Sequence, residues 1–187
     1  MTELFFSELS AGAKAFAGLT PGRERLLREI APLVLPQLDA VTDRFYAHLQ
    51  AIPRTAPFLE GRLPKLRRTH RAWLERLFTE DFDVAFVEQM YRVGNVHVMA
   101  RLPVEFMAGG MTLIAGELAP LVLRLAAREV ERQVALAGAV NAALGFSLIV
   151  MQESYQISRL LAEQEKFLAI TGISRTLFNN LASTARP

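Results

Sequence analysis

The sequence predicts an all-α fold of seven or eight helices joined by short connections. Apolar positions recur at helical spacing along almost the whole chain. Strand signals are missing: no stretch keeps an alternating pattern, and no Asn-Gly or Asp-Gly turn separates β-branched runs. The 187 residues are 51% apolar and 21% charged, which suits one domain with a sizeable core and excludes a disordered chain.

Residues 2–16 read as a short amphipathic opening helix, with Leu4, Phe5, Leu9 and Phe16 as packing residues. Thr20 caps a second helix, with Pro21 at its first position, running to about Ile30. Pro32 and Pro36 mark a boundary with a kink. A third helix covers about 33–51, ended by Pro53 and Pro57, and 52–61 reads as a loop. A fourth covers about 62–78, with Pro64 near its start. Glu80, Asp81 and Asp83 open the next, where negative charge suits a helix N-terminus, and it continues to about Leu102. Pro103 separates it from a helix over about 104–127. The last helix starts near Glu129 and meets no breaker before Gly172, beyond the usual length for a globular helix. Residues 1–155 form the expected body, and 156–187 a more charged helical extension toward an output module or partner.

The net charge of +2 gives little support for nucleic-acid binding. The absence of cysteine excludes disulfides, thiolate metal sites and cysteine catalysis. The N-terminus has no basic region ahead of an apolar run, so no secretory signal is read there. The stretch 134–151, VALAGAVNAALGFSLIVM, carries no charge and is long enough to span a bilayer. Its alanines, Gly138, Asn141, Gly145 and Ser147 favour a central helix buried on most sides. A cytoplasmic protein without a membrane span is expected.

Three polar rings fall on apolar stripes. His97 shares a face with Phe86, Met90, Val93 and Ala100. Tyr46 lies with Leu35, Leu38, Thr42 and Leu49, and His70 with Leu63, Leu66, Trp73 and Leu77. A histidine on such a stripe is a core residue bonded to a carbonyl, or a metal or cofactor ligand. Three rings brought to one apolar interior suggest an enclosed pocket with few polar groups. No carboxylate cluster or inward Glu-x-x-His pair supports zinc or di-iron. Gly109-Gly110 follows no strand and makes no phosphate loop, and no serine sits in a nucleophile elbow. A planar cofactor held by one axial histidine remains, which points to haem.

The segment YRVGNVHVMARLPVE (Tyr91 to Glu105) resembles the proximal segment of globin-coupled sensors, in which Gly or Ala, two residues and a His precede a short run to Pro. RFYAHL (Arg44 to Leu49) resembles the family's distal Phe-Tyr segment, and RTHRAWLERLF, ending at Phe78, its next distal helix with the tryptophan. The resemblance covers roughly residues 20–155. It implies a globin fold, a three-over-three-like helical sandwich around haem b, with an extra N-terminal helix and a long C-terminal one. His97 would be the iron ligand, and Tyr46 the distal hydroxyl donating to bound O2. That charge-assisted bond would favour O2 over CO, with NO a further ligand. Leu66 and His70 match distal positions, although an apolar residue is the family's usual choice where His70 stands. His70 is expected at the pocket edge, with iron ligation or an outward orientation as alternatives. Tyr46, Leu66, His70, Trp73, Met90, Val93, His97 and Phe106 are thus the expected cofactor contacts. Phe45 is either a contact or core, and Arg67, Arg92 or Arg101 would pair with propionates.

The resemblance implies a homodimer through the last two helices, which would shift on ligand binding. It also implies a fused or separate output such as a diguanylate cyclase, histidine kinase or chemotaxis transducer. The apolar faces from Leu160, Leu161, Phe167, Leu168, Ile170, Ile173, Leu177, Phe178 and Leu181 seek a partner. The chain carries no catalytic module, flavin motif or nicotinamide motif, so a non-enzymatic oxygen sensor is expected. The alternatives are a haem-free signalling scaffold of the same fold and a haem dioxygenase.

Overall fold

The computed structural model describes residues 2–126 and 129–184, with side chains described through Asn180. Ala127, Arg128 and residues 185–187 lie outside the described residues, as does the side chain of Leu181, which was expected on the apolar face of the extension.

Among the described residues every regular element is helical. The α-helices are α1 (Glu3–Ala17), α2 (Pro21–Val34), α3 (Leu38–Ala51), α4 (Ala56–Leu59), α5 (Leu63–Thr79), α6 (Val84–Met99), α7 (Val104–Leu125), α8 (Val130–Thr171) and α9 (Arg175–Thr184). A 3-10 turn at Leu35–Gln37 joins α2 to α3. Side-chain caps fix three of the starts. Thr2 accepts from the Phe5 N–H, Thr20 from Arg23, and Asp83 from Phe86 at 2.9 Å. Gly18 and Gly172 end α1 and α8 at φ 64 and 70, a conformation open to glycine at little cost.

α8 is the spine of the molecule. It packs on α1, α2, α6 and α7, while α5 packs on α2 and α3, and α3 also meets α7. The 42 residues of α8 extend about 63 Å at 1.5 Å per residue. The charge-free stretch lies in its first half, and Leu136, Ala139, Val140, Phe146, Ser147 and Val150 are buried there. It is a core helix. α7 is likewise long and apolar enough to cross a membrane, and it too buries a face against its neighbours. Beyond Ser158, α8 is mostly exposed.

Several local expectations are corrected. Pro32 does not end α2 but lies inside it, as Pro120 lies inside α7. Both rings are exposed, so water can serve the carbonyls whose hydrogen bonds they remove. Leu4 and Phe16 do not pack, and Phe16 is 90% exposed. The buried face of α1 is centred instead on Phe6, Ser10 and Ala13, where small residues let α8 approach. The segment 52–61 is not all loop, because α4 forms one turn inside it. The helix expected to reach Leu102 stops at Met99, and Arg101 adopts a left-handed φ of 54.

Candidate functional site

α3 and α5 bring four aromatic rings together. The His70 ring stacks on Phe45 at 4.5 Å between centroids, with 3° between planes. Tyr46 meets both rings edge-on, at 5.1 Å from Phe45 and 5.5 Å from His70, and Trp73 lies 5.6 Å from His70. Thr42, one turn before Tyr46 on α3, places its hydroxyl 3.2 Å from His70 Nδ1. His70 therefore points inward between the two helices. Leu66 is half-buried against the core one turn earlier on α5.

This cluster is largely dry. Burial pushes the His70 pKa down to about 4, so its ring is neutral at physiological pH. Burial also raises Tyr46 to about 12, against a smaller opposing pull from Arg67, and keeps its hydroxyl protonated. His70 Nε2 and Trp73 Nε1 are buried with no hydrogen-bond partner. Such orphaned polar atoms are uncommon in a finished core and mark a place where a ligand can supply the missing contact.

α6 carries the second group. Phe86 and Met90 are buried, while Val93 and His97 follow half-buried toward its end. Burial lowers the pKa of His97, and its Nδ1 is buried without a partner. Gly94 lets α6 lie directly on α8. A Cβ there would fall 2.0 Å from Ser154 Oγ and 2.7 Å from the Met151 carbonyl oxygen. Next to His97, Val96 and Met99 are exposed, Met99 at 75%.

The His97 group and the Tyr46–His70 cluster make no ring contact with each other. α5 is held by α2 and α3, and α6 by α8 and α1, with no substantial packing of α5 on α6. Two helices that each carry half-buried polar rings are thus left apart. Phe106 stands elsewhere, 5.9 Å from Phe58 and under the Arg54 guanidinium at 5.0 Å. Of the arginines, Arg67 lies 3.4 Å from Asp43 and Arg92 3.2 Å from Glu88, while Arg101 is exposed.

Two clefts are prominent. One of about 520 Å³ is lined by Gln50, Pro53, Pro57, Leu59, Glu60 and Leu63, and one of about 290 Å³ lies between α1 and α8. Neither is lined by Tyr46, His70 or His97.

The donor set fits haem better than a bare metal ion. Among the described residues no three His, Cys, Asp or Glu side chains converge. His97, half-buried on an apolar face with an unpartnered ring nitrogen, suits one axial position, and His70 is a second imidazole with an orphaned nitrogen. The sequence put both histidines and Tyr46 on apolar faces but did not single out Thr42 as the partner of His70. The signal was present: Thr42 is the one hydroxyl residue besides Tyr46 on that stripe, where a buried polar group needs a partner.

The fold has known relatives. The structure is similar to the globin domain of the Geobacter sulfurreducens globin-coupled sensor, with 26% identity, a TM-score of 0.72, and 78% of this chain and 96% of that one covered. It has the fold of the globin domain of E. coli DosC in its ferric form, at 18% identity, TM-score 0.65, and 76% and 99% coverage. The ferrous form gives 16% identity, TM-score 0.66, and 78% and 99% coverage. No curated protein matches the chain. The protoglobin family model matches residues 7–160, from α1 through the buried half of α8, so the helical sandwich is a globin fold and the chain belongs to the protoglobin family.

Proposed function

We propose that the chain is a haem-based oxygen sensor domain. The observation that carries the reading is His97: a neutral, desolvated imidazole with an unpartnered ring nitrogen, on α6 of a protoglobin-family fold. Haem b, when bound, supplies an iron that takes up diatomic gases reversibly. His97 would hold the iron. Met90, Val93, Leu66 and Trp73 would enclose the ring, and His70 would border the ligand side. Tyr46, protonated up to about pH 12, is a standing donor. It would donate to O2, which carries partial negative charge, more strongly than to CO, and NO is a further candidate ligand.

Residues 1–155 act in this reading as the sensor, and 156–187 as a connector to an output or partner. Exposed Leu123 on α7, with Val130, Val134, Leu160, Leu161, Phe167 and Ile170 on α8, supports a homodimer through these two helices. The protein is read as non-enzymatic and cytoplasmic.

Tyr46→Phe tests the ligand preference. A charge-assisted bond corresponds to about 10–100-fold in equilibrium. O2 dissociation from the haem-loaded protein should accelerate by about that factor, with CO dissociation nearly unchanged. Equal effects on both gases, or none, would remove Tyr46 from the role.

A further inference from the structure

We propose that Thr42 is a positioning residue that keeps the proton of the His70 ring on Nε2, which makes His70 a hydrogen-bond donor there rather than a lone-pair ligand. The tautomer stands without the haem reading above, and only its consequence for a bound gas rests on that reading.

One face of α3 holds the ring. Thr42, Phe45 and Tyr46 stand three and four residues apart on that helix, so their side chains are neighbours. Phe45 lies flat on His70 and fixes the plane of the imidazole. Thr42 Oγ1, 3.2 Å from Nδ1, fixes which edge of the ring faces α3.

Burial keeps the ring neutral, with a pKa of about 4, so one nitrogen carries a proton and the other a lone pair. Thr42 decides which. Its side chain is buried, at 2% exposure, and His70 Nδ1 is its hydrogen-bond partner. Thr69, Thr79 and Thr112 each donate to the carbonyl four residues back on their helices, a bond Thr42 does not make. With the proton on Nδ1, the Thr42 O–H and the Nε2 lone pair would both be buried without a partner. With the proton on Nε2, Thr42 donates to Nδ1 and only the Nε2–H is left over. One orphan costs less than two. The leftover N–H has company: Trp73 Nε1, which can only donate, is also buried and unpartnered, with its ring 5.6 Å from His70. Both orphans call for an acceptor. In the haem reading O2, with its partial negative charge, is that acceptor for His70 beside Tyr46, and CO is a poorer one.

The test begins with nitrogen-15 NMR of the His70 ring in the haem-free protein, as parent, Thr42→Val and Thr42→Ser. Valine keeps the shape without the hydroxyl, and serine keeps the hydroxyl. The parent should carry its ring proton on Nε2, with Nδ1 resonating as an unprotonated nitrogen that accepts a hydrogen bond. Thr42→Val should move Nδ1 to the position of a bare nitrogen, and Thr42→Ser should restore it. A parent proton on Nδ1, or an Nδ1 resonance indifferent to Thr42→Val, overturns the proposal. The parent spectrum decides the tautomer even where the valine variant does not fold. In the ferrous haem-loaded protein, Thr42→Val should speed O2 dissociation about fivefold, the factor for one net hydrogen bond, with CO dissociation nearly unchanged. Once His70→Phe is in place, Thr42→Val should have no further effect, because Thr42 acts through His70. No acceleration, or the same acceleration with and without His70, overturns the role toward O2. So does a gas-free ferrous spectrum with a second histidine on the iron that is lost in His70→Phe. Failure to load haem counts against the haem reading, and the haem-free spectra still decide the tautomer.

Discussion

Gly94→Ala is the substitution with the clearest expected effect. Its Cβ would stand 2.7 Å from the Met151 carbonyl oxygen and 3.1 Å from Met151 Cα, both backbone atoms that no rotamer change can move. Ser154 Oγ, at 2.0 Å, could turn aside only by giving up its bond to the Met151 carbonyl at 2.6 Å. Restoring an ordinary non-bonded separation of about 3.5 Å requires α6 to recoil by roughly 0.8 Å along this contact. Overpacking of this kind costs about 1–3 kcal/mol, or about 2–12 °C in melting temperature for a chain of this size. Thermal unfolding of the haem-free protein followed by circular dichroism measures it directly. Adding Ser154→Ala should recover only part of the loss, because the carbonyl clash remains. At Gly109 and Gly116 on α7 an added methyl would meet nothing within 4 Å, so alanine there should raise stability by about 0.5–1 kcal/mol. A Gly94→Ala protein that melts with the parent would show that α6 and α8 are not locked as described.

Other expectations follow from single contacts. His70 is held near pKa 4 in the fold against 6.5 when free, so the unfolded chain binds its proton first as pH falls. Stability is then full above pH 6.5 and declines by up to about 3 kcal/mol toward pH 4. Urea titrations across that window should show a shallower decline in His70→Phe, and an identical decline would disprove the assignment. Asp83→Ala removes the cap on the Phe86 N–H and should cost about 1 kcal/mol, seen as a lower urea midpoint. Phe146, fully buried 5.4 Å from Phe82, should cost about 3–5 kcal/mol when cut to alanine. A cost under about 1 kcal/mol would mean that the α8 core is not packed as found.

Much of this arrangement was legible in the chain. Helical spacing set out the long helices, and Thr20–Pro21 and Asp83 are caps whose chemistry is local. What escaped depended on partners distant in sequence or on solvent. Pro32 looked like a stop because the ring removes a hydrogen bond, but its exposed position lets water replace it. Phe16 looked like a core residue by type, yet α8 meets α1 through Ser10 and Ala13. His70 and Tyr46 announced themselves as polar rings on apolar faces. The stacking on Phe45 and the Thr42 contact depend on how α3 meets α5, which periodicity alone does not encode. The Tyr155 hydroxyl bond gave no signal, because it exists only once Leu102, 53 residues away, is folded against it.

The absorption spectrum of the purified chain titrated with hemin, then reduced and exposed to O2 and CO, tests the central claim most directly. The account predicts a saturable Soret band near one haem per chain that shifts with each gas, and its loss in His97→Ala. No Soret band, or one that survives unchanged in His97→Ala, would contradict the account, and the former would leave a haem-free globin-fold scaffold in its place.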